Sequence, residues 1–108
     1  MNYLLGLAPG YVDIAGSYRR SQLAANRSKA TIDTSMWALS KLGRYLEKEG
    51  LPVDVNALKK QHIEGLMEGM LVGSGLSLST AATAFRYLRA FFNWCVEEEL
   101  IKRSPMVA

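Results

Sequence analysis

Along the chain, apolar side chains recur every three or four positions in four blocks, the spacing of helices that each bury one face. The strongest block runs from Ser77 to Val96, where Ala81, Ala84, Phe85, Leu88, Phe91, Phe92 and Cys95 share one stripe. Ser79, Thr83, Arg86 and Asn93 fall on the opposite side with Arg89 at its flank, and no acid interrupts that face before Glu97. The best bounded block follows Ser28, a residue suited to cap a helix start. It predicts a helix from Lys29 to about Glu49, with Ile32, Met36, Leu39, Leu42 and Leu46 inward, Ser35 and Gly43 in the same stripe, and Gly50 and Pro52 as the stop. Its outer face carries Thr34, Trp37, Lys41, Arg44 and Lys48.

Two blocks are thinner. Ile14, Tyr18 and Ala25, with Tyr11 and Leu23 nearby, predict a helix from about Tyr11 to Asn26, weakened at Gly16. Ile63, Leu66, Met67, Met70 and Leu71 predict another from about Lys59 to Val72, in which Gly65, Gly69 and Gly73 repeat on a second side. Such a repeat marks a marginal helix or a close backbone approach. Ser77 or Ser79 caps the helix after it. Residues 1–10, with Gly6 and Pro9-Gly10, form an irregular lead whose Tyr3, Leu4, Leu5 and Leu7 pack on the body or on a neighbouring molecule. Leu100 and Ile101 are expected to tuck back onto the body before an exit at Lys102-Arg103-Ser104-Pro105.

The chain has 108 residues, 49% of them hydrophobic, enough for one small domain with a single core. No apolar run approaches the roughly 20 residues of a membrane span, and the lead lacks the basic start of a secretory signal; a cytosolic protein is expected. The net charge of +3 is unevenly spread. Residues 1–46 carry six bases against two acids, and residues 47–76 three bases against five acids. That polarity can orient a protein on a polyanion, with the acidic Lys59–Val72 helix, bearing Glu64 and Glu68, facing away.

Candidate chemistry is sparse. One cysteine, Cys95, excludes an internal disulfide and sits on an apolar stripe as a buried thiol. One histidine, His62, and one cysteine cannot make a zinc site within a single chain. There is no phosphate-cradling glycine loop and no triad candidate, so no catalytic residue, metal or cofactor is expected. The donors on the outer faces of the Lys29 and Ser77 helices suit phosphates and base edges. A solvated face or a protein contact at Trp37 is the competing reading.

Taken in order, Ser28-Lys29-Ala30-Thr31-Ile32, Leu39, Leu46 and Gly50, Ile63 and Leu66, Ser77 to Thr80, Leu88-Arg89-Ala90-Phe91-Phe92, Leu100-Ile101 and Ser104-Pro105 resemble the core-binding domain of the tyrosine recombinases, the phage-integrase family. The likeness covers residues 11–105. It implies an all-α, four-helix SAM-like bundle that forms half of a clamp on double-stranded DNA. Its second and fourth helices would face the major groove, with Lys29, Lys41, Arg44, Ser79, Thr83, Arg86, Arg89 and Asn93 as the DNA-binding set, Arg89 alternatively being structural. It also implies a longer parent, bacterial or phage and nucleoid-associated, that self-associates on DNA and carries its catalytic residues in a domain beyond residues 106–108. The fragment itself would grip the recombination site for integration or excision without breaking DNA, and would take no small-molecule substrate. Ser35, Met36, Trp37 and Ser104 depart from the family pattern. The alternative is a helical protein-interaction module that ignores DNA.

Overall fold

In the computed structural model, which describes residues 3–106, four helices follow one another: α1 Pro9–Ala24, α2 Lys29–Lys48, α3 Lys60–Glu68 and α4 Leu78–Glu97. A 3₁₀ turn, Val55–Ala57, precedes α3 and a π-helical turn, Gly69–Gly73, follows it. No strand occurs among the described residues, so the chain is all-α. Met1 and Asn2 of the lead, and positions 107 and 108 of the expected linker, lie outside the described residues.

The starts and stops have local causes. Ser28 Oγ accepts the Thr31 N–H at 3.1 Å, and Ser77 Oγ, rather than that of Ser79, accepts the Thr80 N–H at 3.1 Å. The first helix begins two residues earlier than expected, at Pro9, whose fixed φ and missing N–H suit a first helical position. Its start is capped from outside: Glu47 Oε2, on α2, accepts the Ala8 N–H at 3.0 Å. Helices α1, α2 and α4 end alike, each on one left-handed residue, Asn26 (φ 59°), Gly50 (φ 67°) and Glu99 (φ 60°). The amide after each reaches back five positions, Arg27 to Gln22 O, Leu51 to Leu46 O and Leu100 to Cys95 O, at 3.0, 2.8 and 2.9 Å. This is why α1 stops at Ala24 instead of continuing to Asn26.

Of the three stops, Glu99 is the costly one, since a left-handed conformation disfavours any residue with a Cβ and a carboxylate opposes the negative end of a helix. Glu99→Gly is expected to stabilise the fold by about 1 kcal/mol, read as a melting temperature raised by several degrees. An unchanged or lower value would contradict this account of the turn.

The α2 stripe is buried as expected, Ser35 and Gly43 included, and α2 packs chiefly on α4 and α1. On α4, Ala81, Ala84, Leu88, Phe91, Phe92 and Cys95 are buried, whereas Phe85 is half-buried with the Arg89 guanidinium 4.9 Å from its ring centroid. Phe91 centres an aromatic group, with the rings of Tyr18 edge-on at 5.3 Å, Phe92 at 5.2 Å and Trp94 stacked at 6.1 Å. Burial pushes the Cys95 thiol up to about 12, so it is not a thiolate at neutral pH.

Three expectations about apolar positions are corrected. The buried face of α1 is Tyr11, Ala15, Tyr18 and Gln22; Ile14 is only half-buried, and Leu23 and Ala25 are exposed. The helix is rotated by Tyr11, whose hydroxyl donates to the Leu39 carbonyl at 2.5 Å. Leu71, placed on the core face of a continuous helix, is exposed because the π turn, with Ser74 N–H bonded to Gly69 O at 2.8 Å, shifts the register after Met70. Leu100 is exposed while Ile101 is buried, because the left-handed turn at Glu99 reverses the chain between them. The lead packs on the body through buried Leu4 and Leu7 and leaves Leu5 outside. Ser104 and Pro105 of the exit are buried as well.

Candidate nucleic-acid interface

On α4, Ser79, Arg86, Arg89 and Asn93 are exposed and Thr83 is half-buried. Thr83 Oγ1 donates to the Ser79 carbonyl at 3.0 Å and accepts from Arg86 Nη2 at 3.3 Å. That relay steers the guanidinium toward the N-terminal half of the helix. Arg89 leans over Phe85, a cation–π contact that shields a half-buried ring, which gives it a structural task.

On α2 the cations divide. Lys29 pairs with Asp33 one turn on, at 3.0 Å, in an exposed salt bridge of the kind worth little to stability. Lys41, Arg44 and Lys48 line a concavity of about 420 Å³ between α2 and the π turn, together with the acids Glu49 and Glu68. Arg44 Nη2 donates to the carbonyls of Tyr3 and Leu5, at 2.9 and 3.2 Å, so this arginine also ties down the lead. Tyr45 crosses the same groove onto Gly65, the one glycine of the repeat that a neighbour closely approaches. Gly69 and Gly73 have open space where a Cβ would stand.

A second concavity, of about 300 Å³, lies where the end of α1, the start of α2 and the middle of α4 meet. Arg27, Thr31 and Arg86 line it together with Tyr18, Gln22 and Tyr87, and no acidic side chain does. Among the described residues no carboxylate is paired with Arg27 or Arg86. Burial holds the Tyr18 phenol above its ordinary value, the Arg27 charge and the Ser35 hydroxyl pulling the other way. Asn93 lies in the adjoining hollow with Arg27, Trp94 and Glu97, and Trp94 Nε1 there donates to Ser21 Oγ at 3.2 Å.

The two helices expected to face DNA together, α2 and α4, thus set their cations in two separate grooves. Arg86 stands in one, with Asn93 beside it, and Lys41 and Arg44 stand in the other. Lys29, Ser79, Thr83 and Arg89 line neither. Arg27, Thr31 and Gln22 were absent from the expected set. The signal for Arg27 was its place in the joint, between a residue prone to left-handed φ, Asn26, and a cap, Ser28. His62 has a local task, accepting the Lys59 N–H on Nδ1 at 3.0 Å at the start of α3. Among the described residues no cluster of histidine, cysteine or acidic side chains is placed to hold a metal ion, and no helix is long and apolar enough to cross a membrane.

Comparison with protein-family models, with curated proteins and with solved structures gave no significant match in any of the three.

Proposed function

We propose that this chain grips double-stranded DNA in the manner of a tyrosine-recombinase core-binding domain, holding a recombination site for a catalytic domain carried elsewhere in a longer, self-associating parent. The sequence likeness over residues 11–105 supports the reading. The observation that carries it is the acid-free groove lined by Arg27, Thr31 and Arg86, contributed by separate elements of the chain. Guanidinium forks match phosphate oxygens in geometry as well as charge. In this reading the groove takes one stretch of backbone, and Lys41 and Lys48 meet a second stretch across the α2 surface. Phosphate contacts position the protein, and Asn93 is the candidate for a base edge.

The test is a fluorescence-anisotropy titration with duplex at several salt concentrations. Wild type is expected to lose affinity steeply with salt, in proportion to the phosphates it neutralises. The double variant R27A/R86A is expected to bind about tenfold or more weakly, with a shallower salt slope and unchanged circular dichroism. K59A/K60A, two exposed lysines at the start of α3, should bind as wild type. Equal binding by R27A/R86A, or no salt dependence, would overturn the reading.

A second reading, a helical protein-interaction module, rests on Leu71, Val72 and Leu78, which stand 41%, 79% and 74% exposed in one short stretch at the π turn and the start of α4. A stable oligomer on size exclusion that ignores duplex would favour it.

A further inference from the structure

Val72 and Leu78, the two most exposed large apolar side chains among the described residues, stand at one corner of the fold with exposed Leu71 beside them. The π turn ends at Gly73 and the chain doubles back at once, the Leu76 amide donating to the Met70 carbonyl at 3.0 Å. That bond ties the start of α4 to the turn. Leu71, next to Met70, and Leu78, two residues past Leu76, therefore share the corner. A π turn is rare and is found mostly at functional positions; here it carries Leu71 and Val72 outward. Three aliphatic side chains left together on the surface, rather than scattered singly, mark a contact.

The charges around the corner select the partner. Lys41, Arg44 and Lys48 line the neighbouring concavity from α2, and Glu49 and Glu68 line it too. Glu64 stands exposed one turn before Glu68 on α3. Among the described residues the one salt bridge is Lys29–Asp33, so the cations and acids of this concavity are not paired with one another. An anionic membrane would be drawn by α2 and repelled by α3. A second copy of this chain has both signs to offer.

We infer that this corner is the contact surface of a weak two-fold dimer, in which Leu71, Val72 and Leu78 of the two copies pack together and the α2 cations of each copy face the α3 acids of the other. Every contact across a two-fold axis is made twice, so a surface carrying both signs beside an apolar centre complements itself. An apolar centre with a polar rim is the ordinary anatomy of a protein interface. The rim charges set the register and add little affinity each, and the aliphatic centre supplies the binding. The patch is small, which suits a transient contact. The association needs no DNA and does not rest on the DNA-binding reading. The Arg27–Arg86 groove shares no lining residue with the concavity at this corner. Lys41 and Lys48 are common to both proposals, so duplex and a second copy compete for them.

The experiment is sedimentation velocity of the whole chain without DNA, over a wide range of concentration. The sedimentation coefficient is expected to rise with concentration to that of a dimer and no further, since a two-fold contact closes. Val72→Asp is expected to weaken association about tenfold or more with unchanged circular dichroism. Leu23→Asp, at an exposed leucine of α1, should associate as wild type. The deciding arm swaps charge. K41E/K48E and E64K/E68K should each stay monomeric, because each then meets its own sign across the axis. Mixed in equal amounts they should form a dimer at least as readily as wild type, and adding V72D to both should abolish it. A role confined to one chain would give no recovery on mixing. Monomer at every concentration, a mixture that fails to associate, or a V72D chain that associates as wild type would overturn the dimer. So would a monomeric chain that sediments with phosphatidylglycerol vesicles, which would give the corner to a lipid surface. None of these results touches the DNA-binding reading, which stands or falls with R27A/R86A. A dimer formed as described by a chain that ignores duplex would support the contact and end that reading.

Discussion

Phe91→Ala is expected to remove about 3–5 kcal/mol from the stability of the fold, a large share of the roughly 5–15 kcal/mol that holds a domain of this size together. The side chain is fully buried, and its ring touches partners on two helices: Tyr18 of α1, and Phe92 and Trp94 of α4. Alanine loses the transfer energy of the ring, loses the edge-to-face contacts, and leaves a hollow that three rigid aromatic neighbours collapse into poorly. Urea unfolding followed by circular dichroism should show the midpoint falling sharply at unchanged slope. Phe85→Ala on the same helix should cost far less, because Phe85 is only half-buried and is covered on one side by an arginine rather than by packed carbon. Similar losses at the two positions would show that the core is centred elsewhere.

Gly43→Ala should also destabilise, by about 1–2 kcal/mol, although alanine is the better helix former by about 1 kcal/mol. A Cβ at Gly43 would stand 2.9 Å from both Leu7 Cδ1 and Tyr11 Cε2. Leu7 can turn aside. Tyr11 cannot, being buried with its hydroxyl fastened to the Leu39 carbonyl one turn away on the same α2 helix. Overpacking therefore outweighs propensity. Gly69→Ala reverses the sign, because nothing lies within 4 Å of the added carbon there and the backbone is already right-handed helical; this variant should gain up to about 1 kcal/mol. Thermal melts of the pair should move in opposite directions. If both fall, the π turn needs Gly69 for a reason other than space.

These particulars mark what could be read along the chain. The two long helices were legible because each couples an unbroken apolar stripe to a hydroxyl cap, Ser28 and Ser77, and because Gly50 announces one of the stops. Pattern failed where the register changes. The π turn takes Leu71 out of the core, and the glycines that bound it, Gly69 and Gly73, mark a weak helix without marking that shift. The left-handed Glu99 separates Leu100 from Ile101 and has no compositional signature, since glutamate is disfavoured in that conformation. The first helix misled because its inward face includes a glutamine, and a polar residue on a core stripe reads as a surface position until its partner, Ser35, is seen. For the candidate site, the charges on α2 and α4 were visible, but which of them share a hollow was not. Arg27 and Arg86 are 59 positions apart in the chain, and their meeting depends on how α1 turns into α2 beside α4.

The Arg44 clasp bears on how the molecule comes apart. It joins Tyr3 to a residue 41 positions later and closes a loop that contains all of α1. Closure of that loop brings its reward only after α1 has docked on α2, so the clasp is expected to settle late in refolding. In the native state it is expected to open before the core does, and exchange of the Leu7 amide, bonded within the lead to Leu4 O, should report that opening while the amides around Leu39 remain protected.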